Sequence, residues 1–301
     1  MVADEIRSDI QAIARDSALL DETSFAARAA AIDCLEFKVL DRIEGLLQTT
    51  DDPAALLPLT RYAEALRRRL EAVDEAWFRR LRADIREGGC RGTALRSLID
   101  ACVGPGLPGS RRQDEPGYDS RDVFMNGLLL NNAVPAETRD REPEMVQYQQ
   151  TPARVILELA EGAGLTREEI FYDLGSGLGQ VPILVNLLSG ATTRGIEVEP
   201  AYCDHAKACA ADLNLSGVDF VNGDARTADL SGGTVFFMYT PFTGGMLQEV
   251  LTKLRAAAHT TQLRLFTYGP CTRHVSRQDW LRCTGKAAHT YELAAFESAV
   301  P

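Results

Sequence analysis

Three acidic residues and a run of glycines, all between Asp173 and Asp224, carry the plainest chemical potential in this 301-residue chain. The run reads Phe171-Tyr172-Asp173-Leu174-Gly175-Ser176-Gly177-Leu178-Gly179-Gln180. An apolar stretch gives way to glycines and then to a second apolar stretch, which predicts a strand, a tight turn and a helix. Glycines at such a turn let the backbone bend sharply and let a ligand approach with no β-carbon in the way. The helix that follows offers unpaired N–H groups at its N-terminus. Asp173 stands just before the first glycine, where a carboxylate suits a ligand bearing positive charge and repels a pyrophosphate. Eighteen residues past Gly179, Glu197 sits at the end of the next predicted strand, in Gly195-Ile196-Glu197-Val198-Glu199-Pro200, where an acid can accept both hydroxyls of a ribose. After a third strand, Asp224 in Asn222-Gly223-Asp224-Ala225 is placed to accept a hydrogen bond from an adenine amino group.

Two nucleotide ligands compete for such a site. The dinucleotide fingerprint is GxGxxG, whereas this loop is GxGxG with an acid ahead of it. The ribose acid serves either ligand. Loop, Asp173, Glu197 and Asp224 in this order favour S-adenosylmethionine, whose amino-acid end is cationic, over a nicotinamide dinucleotide. Other groupings are weaker. Cys203, His205 and Cys209 resemble a ligand set on paper, but on a helix positions 203 and 205 point about 200° apart, so no metal site is expected. His259, His274 and His289 fall in or near loops and are candidate bases near neutral pH. Tyr268-Gly269-Pro270-Cys271, after the fifth strand, is a candidate acceptor wall.

The elements that must position these groups alternate from Thr151 onward. Helix is expected over 152–162, 179–188, 200–214 and 244–258, and strand over 170–174, 193–198, 218–221, 234–239 and 262–268. Two last candidate strands lie at 279–283 and 289–297. Strands alternating with helices argue for a mainly parallel sheet covered on both faces. Residues 4 to about 102 read as helix with apolar spacings of three and four. Tyr62, Leu66, Leu70, Val73, Trp77, Leu81 and Ile85 form one stripe and Ile32, Leu35, Val39, Ile43 and Leu46 another, which predicts a small helical bundle. The Gly- and Pro-rich stretch 103–118 marks a linker, and 103–147 as a whole is read as linker and cofactor-covering lid between a domain at 1–102 and a catalytic domain at 148–301.

Composition narrows the partners. Net charge is -11, with both halves acidic, so the basic surplus that supplies most phosphate affinity is missing and nucleic acid is not an expected partner. No apolar run approaches the ~18 residues of a membrane helix. The first ten residues are acidic and hold no hydrophobic stretch, so they do not read as a signal peptide. Seven cysteines at scattered spacing suit a reducing cytoplasm.

At these residues the sequence resembles the class I methyltransferases, and most closely the catalytic core of the non-SET histone lysine methyltransferases, the disruptor-of-telomeric-silencing type. Asp173-Leu174-Gly175-Ser176-Gly177-Leu178-Gly179-Gln180-Val181 is similar to that family's loop, and Tyr148-Gln149-Gln150-Thr151 to its Y-x-x-T element. The resemblance covers roughly residues 145–298. It implies a Rossmann-like seven-stranded sheet whose last strand pair is antiparallel, here with an N-terminal α-helical domain. It implies further that Tyr148 and Thr151 flank the methionine part of the cofactor and that Asp173, Gly175, Ser176, Gly177 and Gln180 line the methionine and sugar region. Glu197 would hold the ribose, and Asp224 with the backbone of Ala225 the adenine. The family carries paired asparagines after the fourth strand. This chain has Tyr239-Thr240-Pro241-Phe242 instead, which is similar to the NPPY motif of amide and adenine N-methyltransferases with the amide replaced. Tyr239, Thr240 and Phe242 are therefore the acceptor-side candidates.

The expected activity is methyl transfer from S-adenosylmethionine to a small-molecule or protein side-chain acceptor. A lysine methyltransferase of the named type is the alternative within that class. A non-catalytic cofactor-binding protein and a nicotinamide oxidoreductase are the alternatives outside it. The helical domain is expected to wall the acceptor side or to carry a homodimer contact.

Overall fold

The computed structural model describes residues 2–49, 53–104, 116–130, 133–285 and 289–299. Most of the stretch 103–118 read as a linker lies outside them. The chain divides into two compact units, Met1–Ala83 with Ser97–Leu107, and Asp84–Arg96 with Pro108–Pro301.

The first unit is helical. It contains α1 (Val2–Arg15), α2 (Phe25–Asp33), a π-wound stretch (Cys34–Leu40), α3 (Asp41–Leu47) and most of the 30-residue α4 (Leu57–Arg86) and of α5 (Thr93–Val103). Ile6, Ile10, Leu35, Val39, Ile43, Leu59, Ala63, Leu66 and Leu70 fill its core. Burial along α4 follows Leu59, Ala63, Leu66 and Leu70, so Tyr62, placed on the stripe from sequence, is instead 48% exposed. Arg28 is wholly buried and neutralised by Asp74 at 2.6 Å, with the carbonyls of Leu19 and Asp21 taking two further hydrogen bonds. Removing one partner of such a pair costs about 3–5 kcal/mol.

The second unit is built on a seven-stranded sheet. Its strands are β1 (Ile170–Leu174), β2 (Thr192–Glu197), β3 (Val218–Asn222), β4 (Val235–Met238), β5 (Arg264–Thr267), β6 (Leu281–Cys283) and β7 (Ala294–Ser298). The order is β3-β2-β1-β4-β5-β7-β6. The first five strands are parallel, and β7 runs antiparallel to both β5 and β6. This is the Rossmann-like sheet with an antiparallel last pair that the sequence resemblance implies. Phe171, Tyr172, Leu174, Val235, Phe236, Phe237 and Met238 are all buried, as central parallel strands covered on both faces require. The helices are α7 (Ala153–Gly162), α8 (Gln180–Ser189), α9 (Pro200–Asp212) and α10 (Gly244–Ala258). After β1 the chain winds outward through β2 and β3, then returns to β4 on the other side. That reversal leaves a crevice at the strand C-termini between β1 and β4, the place where open α/β sheets bind ligands.

Two helices were not anticipated, one of them the short α11 (Thr272–Val275) after β5. The apolar patch Val123–Leu130 lies largely in α6 (Ser120–Leu129), which opens with a capping box between Asp119 and Asp122. Its signal is the Asp-x-x-Asp spacing, which a charge- and proline-rich neighbourhood obscures. Asp122 also accepts from the Ala153 N–H at 2.8 Å and so ties α6 to the start of α7.

Candidate functional site

A cavity of about 360 Å³ opens at the C-terminal ends of β1, β2 and β4, within the range of small-ligand sites. Its wall includes all thirteen residues read from sequence as cofactor-binding or as the Tyr239–Phe242 acceptor side, namely Tyr148, Thr151, Asp173, Gly175, Ser176, Gly177, Gln180, Glu197, Asp224, Ala225, Tyr239, Thr240 and Phe242. Sheet order sets their sequence along the edge. Asp224 follows β3, Glu197 ends β2, the glycine hinge follows β1 and Tyr239 follows β4. At about 4.8 Å per strand, the path from the β3 end to the β4 end is about 14 Å, the scale of an extended nucleoside carrying a side arm.

The hinge needs its glycines. Gly175 has φ +85°, and a β-carbon there would overlap the Pro241 ring. Gly177 has φ +52°, and a β-carbon there would overlap the ring of Tyr148. Both are left-handed conformations that L side chains rarely adopt. The bare backbone thus lets the loop after β4 and the Tyr148 ring close on the hinge from two sides.

The three acids sit in different fields. Asp173 is 3% exposed, and burial together with the neighbouring charge of Glu197 raises its carboxyl well above the usual carboxylate range. Glu197 is raised by burial, against hydrogen bonds from the N–H of Gly177 at 2.7 Å and of Glu199 at 2.8 Å. Its two oxygens are thus pinned by backbone. Asp224 is lowered, chiefly by hydrogen bonds from Arg226, whose Nε lies 2.9 Å and 3.1 Å from the two carboxylate oxygens. Arg226 also reaches Glu142 at 3.0 Å. Asp173 and Glu197 thus meet in the cavity wall as two buried acids, the charge of Glu197 adding to burial in raising Asp173.

Two side chains in the cavity wall are buried with polar atoms left over. Neither amide atom of Gln180 has a hydrogen-bond partner, and neither does the Ser176 hydroxyl. Each unmade bond of this kind costs about 1–3 kcal/mol, a cost that a polar ligand can offset.

The segment from Glu137 to Thr151 covers the cavity and is tied down by carboxylates. Glu199 caps α9 and accepts from the Thr138 N–H at 3.0 Å and its hydroxyl at 2.6 Å. Glu144 accepts from the N–H groups of Gly245 and Met246 at the start of α10, and these bonds hold its carboxyl below the usual range. Val146 N–H donates to the Pro241 carbonyl at 3.0 Å, and Met145 bridges to Phe242. Tyr148 packs on Tyr202 with ring centroids 5.3 Å apart.

Aromatic rings make the opposite end. Tyr239, Phe242 and Tyr291 line the cavity with Pro270. Tyr268, expected as acceptor wall, is instead fully buried behind it. Its ring holds Tyr239 edge-on at 4.8 Å and Tyr291 at 5.7 Å. Arg154 stacks over Tyr268 and donates to its hydroxyl at 2.8 Å. Thr240 takes φ +41°, an uncommon value for a β-branched residue. Its hydroxyl donates to the Tyr268 carbonyl and accepts from the Cys271 N–H, both at 3.1 Å. Burial raises the Cys271 thiol, so it is no ready nucleophile. Among the described residues no histidine lines the cavity, which removes His259, His274 and His289 as bases for it.

Sequence reasoning missed Arg226, Glu142, Tyr202 and Tyr291. Glu199 was missed as well, although Pro200 behind it is a local signal, since proline is over-represented at the first helical position. The others are brought in from remote parts of the chain and leave no local signal.

Residues 145–222 match the family model described as "Histone methylation protein DOT1". Many solved structures are similar. They include an RNA methyltransferase from Salinibacter ruber in complex with S-adenosyl-L-homocysteine, at 24% identity, covering 51% of this chain and 94% of that one with a TM-score of 0.39. A SAM-dependent methyltransferase from Aquifex aeolicus is 14% identical over 48% of this chain and 89% of that one, TM-score 0.41. The precorrin-6y C5,15-methyltransferase of Geobacter metallireducens is 16% identical over 52% and 92%, TM-score 0.40. No curated protein sequence matches. The sheet order and the hinge already described are those of a class I methyltransferase fold, and within it residues 145–222 are similar to DOT1.

Proposed function

We propose that this methyltransferase core binds S-adenosylmethionine and passes its methyl group to a small-molecule or protein side-chain acceptor. The observation that carries the reading is the linear order of groups along one sheet edge, from Asp224 through Glu197 and the acid-flanked glycine hinge to the aromatic wall at Tyr239. The residues fit the cofactor on the structure's own terms. The orphaned amide of Gln180 and hydroxyl of Ser176 call for a polar ligand, and the Asp173–Glu197 repulsion calls for a cationic one.

In this reading Asp173 accepts from the ammonium group, Glu197 holds the ribose hydroxyls, and Asp224 with the Ala225 backbone holds the adenine. Gly175, Ser176, Gly177 and Gln180 form the floor, while Tyr148 and Thr151 cover the amino-acid arm. The cofactor supplies a carbon already activated by a sulfonium leaving group. The chain supplies alignment, which is worth several kcal/mol when reacting atoms are held about 3–3.5 Å apart. The faces of Tyr239 and Phe242 stabilise positive charge by about 0.5–2 kcal/mol. The pinned covering segment excludes water. Among the described residues no strong base lines the aromatic end, which suits an acceptor that arrives uncharged with its lone pair free; burial favours that form.

The match over residues 145–222 favours a second, narrower reading, transfer to a lysine side chain. A thermal-shift panel of S-adenosylmethionine, S-adenosylhomocysteine and NAD tests the cofactor, and only the first two are expected to stabilise the protein. Tritiated methyl transfer into cell extract, split into protein and small-molecule fractions, separates the acceptor classes. Stabilisation by NAD alone would overturn the reading.

A further inference from the structure

We propose that Arg226 is the positioning residue that gives the site its preference for adenine, by fixing the Asp224 carboxylate so that one lone pair is kept for the 6-amino group of the base. This rests on the cofactor reading above and adds to it a side chain that acts through another. Among the described residues, Asp224 lines the cavity and Arg226 does not. The Asp224 side chain is 25% exposed, so its carboxylate is open to a ligand.

Three hydrogens of Arg226 hold that carboxylate. The backbone N–H donates to one oxygen at 2.8 Å, Nη2 donates to the other, and the Nε hydrogen is shared between them at 3.1 Å and 2.9 Å. A carboxylate has about four lone-pair sites, so three donors leave one. The fork fixes the plane of the carboxylate and with it the direction of the lone pair that is left. The guanidinium is fixed in turn, because Nη2 also reaches both oxygens of Glu142 in the covering segment, at 3.0 Å and 3.2 Å. From α10, Lys253 donates to the carbonyls of Ala225, Arg226 and Ala228 and so holds the turn. Hydrogen bonds from Arg226 and the nearby charge of Arg139 keep the Asp224 carboxyl below its ordinary range, so at neutral pH it accepts and does not donate. A fixed acceptor discriminates between bases. Adenine brings an amino N–H to it, whereas hypoxanthine brings a carbonyl oxygen that the carboxylate repels. A carboxylate free to turn would escape that repulsion and reach the neighbouring ring N–H of hypoxanthine, and the preference would shrink.

The test compares S-adenosylhomocysteine with S-inosylhomocysteine, which differ only in the base. Their affinities are measured by calorimetry at pH 7.5 in the native protein, in Arg226→Met and in Arg226→Lys. Contacts to the ribose and the amino-acid arm are common to both ligands and cancel in the ratio. The native protein is expected to bind the adenine compound at least about tenfold more tightly. Arg226→Met is expected to cut that preference about five- to tenfold. Arg226→Lys keeps the charge and gives up the fork, and is expected to cut it about threefold or more. Should the first variant fail to fold, the second decides on the same terms. An equal loss for both ligands, with the ratio unmoved, would overturn the proposal, because Arg226 would then merely support the loop. A native ratio near one would overturn it too and leave the cofactor reading standing. Failure of the native protein to bind either ligand would instead overturn the cofactor reading, and this inference with it.

Discussion

Asp173 should be a residue whose loss helps the empty protein and harms its ligand binding. The carboxyl is 3% exposed and is raised by burial first and by Glu197 second. A carboxyl raised in the folded state binds protons there that the unfolded chain has already released. Stability therefore falls as pH rises from the ordinary carboxylate range through the folded value. Asp173→Asn removes that penalty and the repulsion with Glu197. The ligand-free variant should melt at the same temperature as the native protein or higher at pH 7.5, and its stability should decline less with rising pH. Binding moves the other way. A hydrogen bond to a charged group is worth about 1.5–3 kcal/mol, so the dissociation constant for S-adenosylmethionine should rise about 10- to 150-fold. In the native protein, a cation arriving at this pair should drive proton release. Titration calorimetry in two buffers of different ionisation enthalpy measures that release, and it should shrink in the variant. A lower melting temperature combined with unchanged affinity would refute the reasoning, because Asp173 would then be a structural acid rather than a cation receptor.

Other perturbations follow the same logic. Asp122 is raised by burial to about 6 from an ordinary 3.8, so its ionisation costs about 3 kcal/mol of stability as pH rises through about 4 to 6; Asp122→Asn should flatten that part of a pH series of thermal melts, and an unchanged slope would contradict the assignment. Gly175→Ala places a β-carbon at φ +85° against Pro241, so it should lower the melting temperature and weaken S-adenosylhomocysteine at least tenfold by calorimetry. A variant that binds normally would mean that the loop after β4 gives way. Glu197→Gln should weaken both adenosine and S-adenosylhomocysteine about tenfold or more, since the ribose is common to the two; a loss confined to the second would move the ribose contact elsewhere.

The alternation of helix and strand after Thr151 was legible because central parallel strands are continuous apolar runs with glycine at their ends. β1 and α10 came out as read, and most other bounds moved by one to three residues. The last strand was read as 289–297 and is formed by Ala294–Ser298, since the residues before it make turns around the aromatic wall. The α6 helix was hidden by its charged flanks. Within the site, the glycine hinge and the three acids announced themselves because each answers a local demand of backbone or ligand. The Arg226 bond on Asp224, the rings of Tyr202 and Tyr291 around the cavity and the support of Tyr239 by Tyr268 depend on tertiary packing, which no short window of sequence encodes. The stripe through Tyr62 shows the same limit on a smaller scale. A tyrosine fits an apolar period, and only the packed neighbours reveal that Leu59 and Ala63 take the buried positions.

The central claim is the order of groups along the sheet edge, and a crystal structure of the full chain with S-adenosylhomocysteine tests it most directly. The account predicts adenine beside Asp224, ribose hydroxyls on Glu197, the ammonium on Asp173 and the sulfur facing Tyr239. Ligand density in any other orientation, or a hinge that stays empty at saturating ligand, would contradict it.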